Sequence, residues 1–455
     1  MTQFPFAARA RTMRKTVLGC ALAALFAAAP ASAEDLLQIY REAQLNDPTL
    51  AAARASWSAT QELVPQARSG LLPNVSAAAS ANVNNFNESV HSDPPLDINN
   101  RNFRLGQASV SASQPLYRVA NKVAYDQARQ QVAQADYTLS SAQQDLILRV
   151  AVAYFDVLLA EFNVELAQSQ KAAVSEQLAQ AKRNFEVGVA TITDTNEAQA
   201  KYDSIVAQEI SARNDLDNRR TALRAIIGRN PPSLKRVGRG FEPPLPNPNA
   251  ADYWVEKALS ENIAVKIAAY NLDIATLEID RQKAGHLPTL DLVGSYSYQG
   301  GNGATNFSNG FDIRQGQIGV QLNIPIYQGG FVESKVRQAI ALQDNARQNL
   351  EVARRAALFN AQTGFAGVNS AAASVKAFEQ AAASAQVAYD SNRLGQEVGV
   401  RTNLDVLNTQ QNVYQARRDV AQAYFNYLIG VLRLKSAVGT LSEQDLEEIN
   451  RRLTG

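Results

Sequence analysis

From Val119 to Val187 the chain runs for about 69 residues without a proline or a glycine. Nothing in such a stretch breaks an α-helix, and at 1.5 Å per residue it predicts a rod of roughly 100 Å. One apolar stripe runs Ala128, Val132, Ala135, Leu139, Ala142, Leu146, in steps of three and four. A second runs Leu148, Val152, Phe155, Leu159, Phe162, Leu166. A helix with two seams touches a neighbour on each side, as a stave in a ring does; a two-stranded rod needs one. Alanine at many seam positions, in a chain with 16 Phe and 2 Trp among 455 residues, suits close helix packing better than a bulky core. A second long helix is expected over about Val332 to Arg393, roughly 90 Å by the same rule. The apolar run Leu146 to Ala160 is too short to span a bilayer and contains Arg149 and Asp156.

The chain repeats itself. Ser69-Gly70-Leu71-Leu72-Pro73 matches Ala284-Gly285-His286-Leu287-Pro288, and Gln114-Pro115-Leu116-Tyr117 matches Ile324-Pro325-Ile326-Tyr327. Val187-Gly188-Val189 matches Val398-Gly399-Val400, and Ile227-Gly228 matches Val438-Gly439. An offset of about 215 at the first landmark and about 210 to 211 at the others marks a duplication whose one length change lies in a loop. Repeat one is expected over 34–230 and repeat two over 250–440, each reading helix, strand, strand, long helix, helix. Residues 441–455 form a tail. Six prolines between Pro231 and Pro248 make 231–249 a linker. The first helix of each repeat is expected over about Asp35 to Ser69 and Ala250 to Ala284.

Between the helices the period changes to two. Val75, Ala77, Ala79, Ala81 and Val83 alternate with more polar neighbours, as do Leu290, Leu292, Tyr296 and Tyr298, and Ile318, Val320, Leu322 and Ile324. These read as half-buried strands of about ten residues, the length of a tilted membrane strand. The loops between them, about Asn84 to Asn102 and Gly300 to Arg314, are rich in Asn, Gly, Ser and Pro. Four strands cannot close a barrel, and lipid does not tolerate open sheet edges. Three chains would supply twelve strands and twelve helical positions. The fold class is therefore mainly α with a transmembrane β-barrel; a coiled-coil structural protein, soluble or spanning the envelope, would explain the helices and leave the strands without a role.

The N-terminus carries an export signal, expected over 1–33: basic Arg9, Arg11, Arg14 and Lys15, an apolar run from Val17 to Ala29, and small residues Ala31-Ser32-Ala33 at the cleavage point. Cys20, the single cysteine, stands in a loose lipoprotein-like box but inside the apolar run, so cleavage after Ala33 leaves no thiol. Loss of those four positive charges turns the net +1 into −3, with no basic patch for nucleic acid. The two histidines, His91 in a loop and His286 at a helix–strand junction, read as structural or solvated. No serine elbow, phosphate loop or clustered metal ligands are present, so neither an enzyme nor a cofactor or metal site is expected.

These landmarks carry a family. Gly188-Val189-Ala190-Thr191-Ile192-Thr193-Asp194, Gly285-His286-Leu287-Pro288-Thr289-Leu290-Asp291-Leu292, Pro325-Ile326-Tyr327-Gln328-Gly329-Gly330 and Val398-Gly399-Val400-Arg401-Thr402-Asn403-Leu404-Asp405-Val406-Leu407 resemble the TolC family of outer-membrane factors, as does the tail Ser436 to Leu446. The resemblance covers nearly the whole mature length. It implies a homotrimer in the outer membrane with a 12-stranded β-barrel in lipid and a long periplasmic α-helical barrel. It also implies coupling through a periplasmic adaptor (membrane fusion) protein to an inner-membrane ABC or RND-type pump, for multidrug efflux or type I protein secretion. By the same resemblance the tube closes at its periplasmic tip, where helices turn near Gly188 and Gly399. Arg401 takes the family's gate-arginine place, Thr193 and Asp194 its threonine–aspartate place on the neighbouring hairpin, and Asp405 the upper of two constricting aspartate rings, where cations would bind and block. Two positions depart: Gln396 replaces a tyrosine and Asn408 a second aspartate, so the second charge ring is expected to be absent. The blander reading of Arg401 and Asp405 is an i,i+4 pair on a solvated helix face.

Overall fold

The structure, a computed structural model, describes residues 33–86, 101–231, 233–237, 243–302, 310–451 and 453–454. The export signal, Cys20 and His91 lie outside the described residues. The first repeat region holds α1 (Leu36–Asn46), α2 (Pro48–Gln61), α3 (Leu63–Ser69), β1 (Asn74–Phe86), β2 (Arg101–Tyr117), α4 (Val119–Glu186) and α5 (Ile192–Ile227). The second holds α6 (Ala251–Glu261), α7 (Ile263–Lys283), a 3-10 turn (Ala284–His286), β4 (Thr289–Asn302), β5 (Phe311–Asn323), α8 (Phe331–Glu397) and α9 (Asn403–Val438). A short β3 (Arg236–Val237) lies between them, and α10 (Glu443–Asn450) and β6 (Leu453–Thr454) end the chain.

The two long helices have 68 and 67 residues, each roughly 100 Å. The second runs four residues past Arg393, the expected end. Each serves two neighbours in succession. The first half of α4 lies along α7, where Gln134 Nε2 donates to Asn271 Oδ1 (2.9 Å) and the Tyr137 and Tyr270 rings stand 5.5 Å apart. Its second half lies along α5, tied by Arg219–Asp156 (2.8 Å) and by Lys171–Glu209 (2.9 Å). The buried Glu209 carboxylate also takes Arg213 (2.5 Å). Likewise α8 packs first on α7 and then on α9, where Arg417 Nη2 donates to Gln386 Oε1 (3.0 Å).

The first helix of each repeat is not continuous, contrary to the sequence expectation. Asp47 stands at φ −69°, ψ 118°, because the residue before a proline is pushed out of the helical region. Its carboxylate then caps α2, accepting from Leu50 N at 2.7 Å. A further break falls at Glu62. In the second repeat Asn262 makes the equivalent break without a proline: Oδ1 accepts from Val265 N (3.0 Å) and Nδ2 donates to Ala437 O on α9 (2.7 Å).

Among the described residues the larger of the two buried side-chain clusters lies at the waist. Leu36, Ile39, Leu146, Tyr154, Phe155, Leu432 and Leu446 are almost wholly buried there, with Phe155 and Phe425 rings 5.6 Å apart. The proline-rich stretch is tied into this region: β3 pairs antiparallel with β6, and the Tyr154 hydroxyl donates to Lys235 O (2.8 Å).

The four long strands form one antiparallel sheet in the order β1-β2-β4-β5, so the central pairing joins the two repeats. They run 13, 17, 14 and 13 residues, longer than the expected ten. The reason lies in the stretches read as loops, whose ends remain in register: Asn85 pairs with Asn102 and Gly300 with Asp312. Rows across the sheet alternate in chemistry. Ser76, Ser111, Ser295 and Gln317 share one row, and the Ser76 and Ser111 hydroxyls bond at 2.8 Å. The adjacent row, on the other face, is Val75, Ala112, Gly294 and Ile318. On that face Ile318 is 81% exposed. Among the described residues of one chain the outer edges of β1 and β5 have no strand partner.

At the foot of the sheet Arg118, the residue before α4, grips the nearly buried Asp291 of β4 with two bonds of 2.8 and 2.6 Å. This bidentate pair fixes the angle at which the rods leave the strands.

Candidate functional site: the hairpin tips

At the far end from the sheet, α4 turns into α5 and α8 into α9 through the same motif. Gly188 has φ +77° and Gly399 φ +79°, a left-handed conformation that glycine adopts without a Cβ penalty. Val189 N donates to Asn184 O and Val400 N to Gly395 O, both at 2.9 Å, closing each helix with a Schellman bond. The helix turns therefore stand where the sequence places them.

Each following helix opens with a capping box that the sequence reading missed. Asp194 N donates to Thr191 Oγ1 (3.2 Å), while Asp194 Oδ2 accepts from Thr191 N (2.9 Å) and Oγ1 (2.7 Å). Thr402 and Asp405 repeat it, with 3.2 Å forward and 3.1 and 2.9 Å back. The readable signal is threonine three residues before an acid at a helix start. The threonine's backbone N–H and hydroxyl hold both carboxyls below the usual aspartate range, aided at Asp405 by the Arg401 charge. Both aspartates are thus anionic and fixed in direction by their own turn. Thr193 is exposed, and its hydroxyl makes no hydrogen bond among the described residues.

Arg401 is exposed and forms no ion pair with Asp194 or any other acid among the described residues of one chain. It lies back across α8 over Gly395: a Cβ built there would stand 2.7 Å from Arg401 Cγ. In the first hairpin the equivalent positions are Asn184 and Ala190, the large and small residues exchanged. Gln396 donates from Nε2 to Asn403 Oδ1 at 3.3 Å and ties the two ends of the second turn together. Asn408 is exposed. His286 stands half exposed at the opposite end, 3.6 Å from Glu333.

The two hairpins also touch within the chain. Leu407 of α9 is 2% exposed, packed among Val174, Leu178, Ala198, Tyr202 and Ile205 of the first hairpin. One helical turn further, Lys201 Nζ donates to Gln411 Oε1.

Rods of this length, a membrane-sized sheet with one apolar and one polar face, and matched hairpin tips fit the class of outer-membrane channel proteins. The chain belongs to the outer membrane efflux protein family, whose model matches residues 39–229 and again 254–440. It is 36% identical over 423 residues to the outer membrane protein TolC of Vibrio cholerae, covering 92% of this chain and 94% of that protein. It is 35% identical to Escherichia coli K12 TolC, covering 93% and 85%, and 30% identical to the proteases secretion protein PrtF of Dickeya chrysanthemi, covering 92% and 91%. In fold it is similar to the Campylobacter jejuni outer membrane channel CmeC (TM-score 0.77, 16% identity, 92% of this chain and 90% of that one). It is also similar to Vibrio cholerae VceC (0.73, 20%, 89% and 96%). These likenesses bear out the TolC-family resemblance, the outer-membrane location and the channel class. The coiled-coil alternative is set aside by the sheet and the family together.

Proposed function

We propose that three copies of this chain, after removal of residues 1–33, close a twelve-stranded barrel in the outer membrane. Their helices continue it as a tube through the periplasm. The staves are 34–230 and 250–440, joined by 231–249 and buttressed by 441–455. The observation that carries this reading is the pair of edges on β1 and β5, unpartnered among the described residues, in a sheet with an apolar face. Edges in lipid must be paired, and a neighbouring copy's β5 meets β1 without any new structure. The valine, alanine and isoleucine rows then face lipid, and the serine and glutamine rows line the duct.

The duct carries cargo passed to it by an inner-membrane ABC or RND-type pump through a periplasmic adaptor, and performs no catalysis itself. The relatives named for efflux and those named for protease secretion support both cargo classes. At the tip, Arg401 reaches Asp194 or Thr193 on the hairpin of the next copy and holds the end shut. Asp405 forms a ring of three carboxylates that draws cations and excludes anions. Exposed pairs of the Arg401 kind contribute only ~0–1 kcal/mol each, which an adaptor can overcome.

The test has two arms. In detergent the mature protein should run at three times the mass of one chain; a stable monomer would sink the architecture. In planar bilayers under a salt gradient the wild type should prefer cations and be blocked by divalent ions, and Asp405→Ala should weaken both. An unchanged reversal potential in that variant rules out the carboxylate ring. Gly395→Ala should act like loss of Arg401, because the methyl occupies the place of the arginine stem; conductance should rise severalfold with trimer assembly intact. If it conducts as wild type does, Arg401 is not seated on α8.

A further inference from the structure

We propose that Leu407 is a positioning residue of the channel: it pins the second hairpin to the first and thereby sets the radius at which Asp405 stands. The inference rests on the reading of the hairpin tips as the constricted end of the duct. Among the described residues the buried cluster at the tip consists of Val174, Leu178 and Ala181 of α4, Ala198 and Ile205 of α5, and one side chain from elsewhere, Leu407 of α9. Leu407 follows Asp405 by two residues, about 200° around a helix of 3.6 residues per turn. The leucine therefore faces the first hairpin while the carboxylate faces away from it. Parting α9 from the first hairpin requires drawing Leu407 from its seat, and Asp405, carried on the same helix, shifts by the same displacement.

The seat is one-sided. The residue equivalent to Leu407 in the first hairpin is Asn196, which is exposed. Among the described residues Leu407 is the α9 member of this cluster, and the equivalent position of the first hairpin, Asn196, offers no such apolar pin to a neighbour. The polar contacts at the tip differ in kind: Arg401 and Thr193 are exposed, and the Lys201–Gln411 bond is solvent-facing. Of these contacts, removing an apolar side chain from a closed cluster has the larger effect on the balance between closed and open tips.

Single-channel recording of the full mature channel in planar bilayers tests this. The series is Leu407→Ala, Leu407→Val and Leu407→Met beside Arg401→Ser, with Leu428→Ala, a buried waist residue, as control. Leu407→Ala should raise the ratio of open to closed time roughly 30-fold, about 2 kcal/mol at ~1.4 kcal/mol per tenfold. Leu407→Met should stay within about threefold of wild type, because it conserves volume. If the alanine variant does not assemble, Leu407→Val decides: a rise of about fivefold supports the pin and no rise overturns it. Wild-type gating in Leu407→Ala, with Arg401→Ser opening as expected, overturns the pin and leaves the tip constriction standing. An equal rise in Leu428→Ala also overturns it, since general loosening would then suffice. If Leu407→Ala and Arg401→Ser both gate as wild type and Asp405→Ala keeps its cation preference, the constriction reading falls and the pin falls with it.

Discussion

Asp47→Ala is expected to destabilise the protein by about 3 kcal/mol, the low end of what removing one partner of a buried ion pair costs. Asp47 is 3% exposed, and its carboxylate holds Arg149 with bonds of 2.9 and 3.2 Å while capping α2. Removing it leaves a cap empty and Arg149 with only the exposed Asp145, 2.6 Å away. Arg149 itself reaches solvent, which keeps the loss from the top of the range. Asp47→Asn should lose less, because an amide oxygen still caps, as Asn262 does at the equivalent break. Arg149 holds the Asp47 carboxyl below the usual range. A depressed folded value adds stability that is present above the unfolded value of about 3.9 and is lost as pH falls through the folded one. The gap between wild type and Asp47→Asn should therefore be constant from neutral pH to about 4 and close below it. Denaturant unfolding across pH measures this; a gap that persists through strong acid would show that the ion pair is not its source.

Gly439→Ala should have a larger effect than Gly228→Ala, although the two glycines are equivalent in the repeat. Both end a helix in the left-handed conformation, at φ +89° and +83°, where alanine costs about 1–2 kcal/mol. At Gly228 the nearest atom to an added Cβ is Asn46 Cβ at 3.7 Å, so strain is the whole cost. At Gly439 the Cβ would stand 2.5 Å from Glu261 O and 3.0 Å from Asn262 Cα. These are backbone atoms, held in place by the Asn262 bond to Ala437, and cannot step aside. The expected loss is about 3–5 kcal/mol in total, combining strain with forced displacement of a packed junction. Yield of folded protein should fall sharply for Gly439→Ala and little for Gly228→Ala. Equal yields would mean that the α6–α7 break moves freely.

Much of this architecture is legible in the sequence because it is periodic. An uninterrupted three-and-four stripe has one solution, and alternation over ten residues has another. Glycine after a long helix marks a turn whichever fold follows. The breaks at Asp47 and Asn262 are harder: Pro48 announces the first, but nothing local announces the second, which depends on a carbonyl of α9. The pairing of β2 with β4 is a choice among strands of similar pattern, and no residue in either strand declares it. At the tip the turns and the two aspartates are legible, and Thr191 and Thr402, which fix those aspartates, are marked by their three-residue spacing to the acids, whereas the expected partner is Thr193. The seat of Leu407 is not legible, because a helical stripe says that a side chain is covered and not by which helix.

The exchange of Asn184 and Ala190 for Gly395 and Arg401 has a consequence for how the proposed ring of hairpins can change over generations. In a ring of six identical subunits any substitution appears six times, and neighbouring hairpins can never differ. A chain that carries two hairpins frees one of them: a codon change at position 395 or 401 leaves 184 and 190 as they were. Alternation around the rim thereby becomes a heritable property of a single gene. One hairpin can hold its geometry while its twin accumulates the residues that respond to a partner.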